Sequence, residues 1–243
     1  MRLAALGDIH GNADALRAVI ADLQGQSPDL VVNLGDCLSG PLDWDRAFDL
    51  MAGQDWVTVR GNHDRWLTAP PDPVGPWEEA IIPRLTQAHR DWLAALPPTR
   101  TVDGIFLTHA TPGDDLTYWL HSVHKGGTVA PRPLAEVEAL AGNRPETLIL
   151  CGHTHLAHAT RRPGGGLIVN PGSVGCPGFD DDDPVPHIVA AGTPHARYAI
   201  LDKTPQGWTV THRLVPYDPT PAAALARASG NAAWAQALMT GFP

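Results

Sequence analysis

Short apolar runs, each closing on a small residue and then polar ones, recur along the chain. Residues 3–6 run into Gly7-Asp8, residues 30–34 into Gly35-Asp36, and residues 56–59 lead to Gly61-Asn62-His63-Asp64. Further on, residues 105–107 lead to Thr108-His109, residues 147–150 to Gly152-His153-Thr154-His155, and residues 167–169 to Asn170-Pro171-Gly172-Ser173. Apolar runs this short predict buried strands. After the first of them Asn12 suits a helix cap, and Ala15, Leu16, Val19, Ile20 and Leu23 recur at helical spacing until Gly25 and Pro28 end the pattern. Strand, loop, helix and strand again predict an α/β fold. Ligands of open α/β sheets bind outside the carboxyl ends of the strands, so the polar clusters should converge on one rim.

The remaining stretches are less regular. Residues 69–76 are proline-rich and read as a surface loop, followed by helical stretches over 77–96 and a further helix over 134–140. Residues 178–194, with four consecutive aspartates at Asp180, Asp181, Asp182 and Asp183, read as an exposed acidic loop. A terminal hairpin is predicted from 197–201 and 208–214 around Pro205-Gln206-Gly207, and a single alanine-rich helix over 222–239 packing on the outside.

Composition narrows the class. With 243 residues, 43% of them hydrophobic, and no internal repeat or composition shift, one domain over 1–243 is expected. No apolar run approaches the roughly 20 residues of a membrane helix, and residues 2–6 are too short for a signal-peptide core, which predicts a cytoplasmic protein. Cys37, Cys151 and Cys176 are too few for a disulfide framework and read as small buried thiols. The net charge of −9 and the absence of a basic run argue against wrapping nucleic acid. An acidic chain can nonetheless take an anionic substrate if divalent cations offset its carboxylates locally.

The polar clusters hold the inventory for such cations. Two-metal hydrolysis of a phosphoester needs ions about 3.5–4 Å apart, a carboxylate able to bridge them, and a mixed set of carboxylate, amide and imidazole ligands. Asp8 and His10, Asp36, Asn62 and His63, His109, and His153 with His155 supply that mixture, each group at the end of an apolar run. An isolated Asp-x-His is commonly a loop with a surface histidine. The ordered series carries the inference.

Gly7-Asp8-Ile9-His10-Gly11-Asn12, Gly35-Asp36, Gly61-Asn62-His63-Asp64, Thr108-His109 and Gly152-His153-Thr154-His155 resemble, in order, the motifs of calcineurin-like metallophosphoesterases, most closely the small prokaryotic phosphodiesterase-like members. Asn170-Pro171-Gly172-Ser173 extends the match. The resemblance implies a four-layer α-β-β-α sandwich of two mixed sheets flanked by helices, with the site at one edge. It implies one metal on Asp8, His10 and His155, a second on Asn62, His109 and His153, and Asp36 bridging both. It also implies a metal-bridging hydroxide as nucleophile, His63 facing the substrate, and Asp64 orienting His63. Such a mixed donor set suits manganese, iron, zinc or nickel, with Mn2+ favoured.

Two departures bear on substrate. Protein phosphatases of the wider superfamily follow the bridging aspartate with Val-Asp-Arg-Gly, whereas here the stretch is Cys37-Leu38-Ser39-Gly40-Pro41; a phosphate-gripping arginine is missing there, with Arg65 a possible substitute. The acidic stretch 176–195 is longer than in related small members and reads as a solvated surface loop or as a lid beside the metals that selects substrates. Of the other histidines, His121 and His124 suit a substrate wall, with Tyr118 beside them; Trp119 reads as core. The expectation is a metal-dependent phosphodiesterase acting on a small, cyclic-nucleotide-type diester without a membrane partner; the oligomeric state stays open. The alternatives are a phosphomonoesterase or protein phosphatase, and a non-catalytic scaffold of the same fold.

Overall fold

The computed structural model describes residues 1–243. Its strands are β1 (Arg2–Leu6), β2 (Leu30–Asn33), β3 (Val57–Thr58), β4 (Thr99–Val102), β5 (Ile105–Thr108), β6 (His121–Val123), β7 (Val129–Pro131), β8 (Leu148–Leu150), β9 (His158–Arg161), β10 (Leu167–Asn170), β11 (Gly178–Asp181), β12 (His187–Ala190), β13 (Ala196–Thr204) and β14 (Gly207–Val215). The helices are α1 (Ala13–Gln26), α2 (Trp44–Ala52), α3 (Asn62–Thr68), α4 (Pro76–Ile81), α5 (Gln87–Ala95), α6 (Leu134–Ala141), α7 (Thr220–Ala228) and α8 (Ala232–Thr240).

Two five-stranded mixed sheets dominate, ordered β14-β13-β1-β2-β3 and β4-β5-β8-β10-β9. In the first, β1 runs parallel to β2 and antiparallel to β13. In the second, β5, β8 and β10 are parallel, with β4 and β9 as antiparallel edges. Side chains alternate across each strand, and both faces are covered, which is why these strands read as unbroken apolar runs. Leu3 and Ala5 meet Ile105, Leu107, Leu148, Leu150, Leu167 and Val169 between the sheets. Their neighbours Ala4 and Leu6 turn outward onto Leu16 and Val19 of α1, Ala47 of α2, Leu67 of α3 and Leu93 of α5. Phe106, Ile149 and Ile168 face the other way, onto Trp119 and onto Val137 and Ala141 of α6. The result is the four-layer α-β-β-α sandwich that the sequence motifs implied.

Asn12 caps α1, its side chain accepting from the Ala15 N–H at 3.1 Å, and so begins the first helix where expected. Two expectations need correction. The alanine-rich tail is two helices, because Gly230 takes a left-handed φ of 82° and Asn231 starts α8 by capping Trp234 N–H at 3.0 Å. Nor does it merely sit outside: Trp234 is buried with Leu42 and Cys176, and its ring centroid lies 5.9 Å from that of His10. The acidic stretch is not an irregular loop either. It forms the β11–β12 hairpin, in register from Gly178 opposite Ala190 to Asp181 opposite His187. Helix α2 had no counterpart in the sequence reading.

Candidate metal centre and its pocket

The loops after β1, β2, β3, β5 and β8 meet at one edge of the sandwich. Five of the polar residues they carry hold left-handed backbone: Asp8 (φ 53°), His10 (50°), Asp36 (55°), His153 (71°) and His155 (57°). Non-glycine residues rarely adopt this conformation, which costs on the order of 1–3 kcal/mol each and clusters where function demands it. Among the flanking glycines, Gly11 (φ 67°) and Gly35 (φ 97°) turn the chain in the same way. Gly61 and Gly152 supply room: a Cβ on Gly61 would stand 2.6 Å from Asp36 N, and one on Gly152 2.9 Å from Asp8 Oδ2.

Asp8, His10 and His155 form one group of buried potential ligands, and Asp36, His109 and His153 a second. Asp36 Oδ2 lies between them, 3.2 Å from His109 Nε2 and 3.8 Å from His10 Nε2. Asn62 Oδ1 adds a neutral oxygen 3.0 Å from His109 Nε2.

Backbone carbonyls set which imidazole nitrogens are free. The Nδ1–H groups of His10, His109 and His155 donate to Ser39 O, Leu34 O and Cys176 O, each at 2.8 Å, leaving their Nε2 atoms turned inward. His153 is reversed: its Nε2–H donates to Leu116 O at 2.7 Å and its Nδ1 is free. His10 Nε2 and His155 Nε2 stand 3.2 Å apart, two acceptors with no proton of their own to share. A cation between such lone pairs relieves their repulsion, so this donor set fits a divalent metal ion.

Electrostatics agree. Burial pushes His10 down to about 4 and His153 to about 3, and holds His155 well below its ordinary value, so these rings stay neutral. Burial, then the neighbouring Asp36 carboxylate, raises Asp8 to about 7, with His109 opposing. At His109 burial works the other way, yet Asp36 and Asp8 prevail and raise it to about 10, so its Nε2 carries a proton that a bound cation would displace. The centre favours positive charge placed among its carboxylates.

His63 lines the cavity beside these groups, but its partner is not the expected one. Asp64 accepts backbone N–H bonds from Asp36 (2.8 Å), Cys37 (2.9 Å) and Gly61 (3.0 Å), clasping two ligand-bearing loops together. As the third residue of α3 it points back at the helix N-terminus and away from the ring, so it does not orient His63. His63 Nδ1 instead meets Oε1 of buried Glu78 at 2.7 Å. Trp77 stacks on the His63 ring at 5.6 Å and Trp66 meets it edge-on at 4.6 Å.

The cavity above the centre has a volume of about 650 Å³. Trp66 and Trp77 form one wall, Tyr118 and Arg132 another, and Phe179, Asp180, Asp181 and Asp183 of the acidic hairpin a third. His121 is buried behind this wall, with Ser122 and Val123 facing the cavity in its place, while Trp119 is core. Tyr118 O–H donates to His187 Nε2 at 3.2 Å, tying its loop to the hairpin. Neither of the arginines beside the cavity is free to grip a phosphate oxygen. Arg65 is held by Asp115 in a two-pronged ion pair at 2.7 and 2.8 Å, and Arg132 donates to Trp119 O, Tyr118 O and Glu136. Glu78, Trp66 and Phe179 escaped the sequence reading, since nothing local marks them; only the Gly75-Pro76 helix start hinted at an element there.

Comparison with known proteins agrees with this architecture. The model of the calcineurin-like phosphoesterase superfamily domain matches residues 1–191, and the chain belongs to that family. Among solved structures, it is similar to a metallophosphoesterase from Sphaerobacter thermophilus at 23% identity and a TM-score of 0.74, covering 99% of each chain. It is also similar to a candidate diadenosine tetraphosphatase at 16% identity and a TM-score of 0.54, over 88% of this chain and 94% of that one. At such identities the likeness is one of fold. No curated protein matches the sequence.

Proposed function

We propose that the protein is a two-metal phosphodiesterase acting on small diesters. The observation that carries this reading is the pair of ligand groups, Asp8-His10-His155 and Asp36-His109-His153, with the Asp36 carboxylate between them. The family supports divalent metals at such groups, and Mn2+ suits the mixed oxygen and imidazole donors. When bound, two divalent ions lower the pKa of water and offset charge on the phosphoryl oxygens.

The chain's own residues do the rest. Asp36, lying between the two groups, would contribute to both, Asn62 would complete the second, and Asp64 fixes the loops of Asp36 and Gly61 so that the donors converge. His63, at the cavity edge, donates a proton to the leaving oxygen. Preference for diesters follows from charge: a monoester dianion meets three hairpin carboxylates and no unpaired guanidinium, whereas a diester carries one negative charge and an arm that the tryptophans can cover. The buried free thiols suit a reducing, cytoplasmic setting.

The test is hydrolysis of bis(p-nitrophenyl) phosphate and p-nitrophenyl phosphate by chelator-stripped protein, with and without Mn2+, beside Asp36→Asn. Manganese-dependent diester hydrolysis lost in the variant is expected. Faster monoester turnover makes the protein a phosphomonoesterase, and silence with Mn2+, Fe2+, Zn2+ and Ni2+ makes it a scaffold.

A further inference from the structure

Helix α4 carries none of the motifs that define the metal centre, yet it aims a buried carboxylate at the ring facing the substrate. Glu78 is 2% exposed, and its only hydrogen-bonded ionisable partner is His63, Nδ1 to Oε1 at 2.7 Å. Space is kept for it: a Cβ on Gly75, at the helix start, would stand 2.7 Å from Glu78 Oε2. The next-door residue, Trp77, covers the flat face of the same imidazole with 26° between planes, while Trp66 closes its edge. One short helix thus fixes both the rotation and the tilt of His63. Burying a carboxylate costs several kcal/mol unless it is well paired, and this pair lies against the cavity rather than deep in the core.

On the reading that this is a phosphodiesterase, we propose that Glu78 is a positioning residue for proton delivery to the leaving group through His63. With Nδ1–H held by Glu78, the second proton of the ring sits on Nε2, the nitrogen left free on the cavity side. During hydrolysis the bond between phosphorus and the leaving oxygen breaks as the water oxygen bonds to phosphorus. The Nε2 proton passes to the departing oxygen, and the proton released by the attacking water returns the ring to its starting state through solvent. Without Glu78 the ring can rotate or adopt the other tautomer, and Nε2 no longer meets the leaving oxygen.

The test compares diesters of graded leaving-group acidity in wild type, Glu78→Met and Glu78→Gln. The first variant removes the acceptor at similar volume; the second keeps a polar group should the first fold poorly. An alkoxide leaving group needs the proton and p-nitrophenolate does not. Glu78→Met should therefore lose about 100-fold in kcat on dialkyl diesters such as dimethyl phosphate, at the lower end of general-acid effects, and change within about threefold on bis(p-nitrophenyl) phosphate. At a pH where the ring is neutral, long-range 15N–1H NMR of His63 in metal-free protein should show the proton on Nδ1 in wild type and a mixture of tautomers in Glu78→Met. Mn2+ affinity by calorimetry should be unchanged. Equal losses on every leaving group, or an unaltered His63 tautomer in both variants, would overturn the proposal while leaving the phosphodiesterase intact. Absence of metal-dependent hydrolysis in wild type overturns the underlying reading instead.

Discussion

The Asp36 carboxylate occupies the space that a side chain on Gly61 would fill. A Cβ there would also stand 2.6 Å from Asp36 N and could not be relieved by rotating a flexible group, since that neighbour is backbone. Gly61→Ala should therefore displace Asp36 and the loop that Asp64 clasps. Mn2+ affinity, measured by calorimetry, should fall about 10- to 100-fold, as it does when groups supporting metal ligands are disturbed. A variant with wild-type affinity would show that the two loops can part without cost.

The opposed lone pairs of His10 and His155 predict that metal binding stabilises the fold. At a metal concentration 100 times Kd the gain is about 2.7 kcal/mol per site, or about 5–10 °C in Tm for a chain of this size. Differential scanning fluorimetry with increasing Mn2+ should show this shift in wild type. His155→Ala should lose most of it, and an unmoved Tm in wild type would count against a preformed centre.

Acid on the hairpin should act on substrate charge. Neutralising it as Asp180→Asn/Asp181→Asn/Asp183→Asn should lower the ratio of diester to monoester kcat/KM by about tenfold, the equivalent of about 1.4 kcal/mol. The wild-type ratio should shrink with added salt, whereas that of the variant should not. An unchanged ratio would mean that these side chains turn away from bound phosphate.

His121 predicts a pH dependence of stability. Burial, with smaller contributions from His158 and Arg132, depresses it to about 4, against an ordinary value of 6.5. Between these values the unfolded chain binds a proton that the folded chain refuses, so stability falls as pH drops from about 6.5 to about 4. The full window is worth up to about 3 kcal/mol. Urea unfolding at pH 7 and pH 4.5, in chelator, should show wild type losing more stability than His121→Leu; equal losses would place the ring's titration elsewhere.

What could be read from the sequence was what lies within a few residues of a strand end. Asp8, His10, Asp36, Asn62, His109, His153 and His155 were visible because each follows an apolar run, and the alternation along β5, β8 and β10 is set by burial on both faces. Glu78 was invisible: its role exists only because α4 folds back onto α3. Asp64 was given the wrong partner for a related reason, since proximity in sequence to His63 suggested a contact that helix geometry denies. The hairpin was taken for a loop because four aspartates outweigh strand propensity locally, while cross-strand pairing with residues 187–190 decides the matter. The alanines of the tail hid the short break at Gly230.

The seat of Trp234 against His10 has a consequence for how the protein is made. The ligand loops lie between residue 8 and residue 155, but the ring that walls His10 follows them in the chain, at residue 234. A nascent chain therefore carries its ligands in an unfinished shell. The wall is closed only when α8 has been added, so the shell of the centre follows its ligands in chain order.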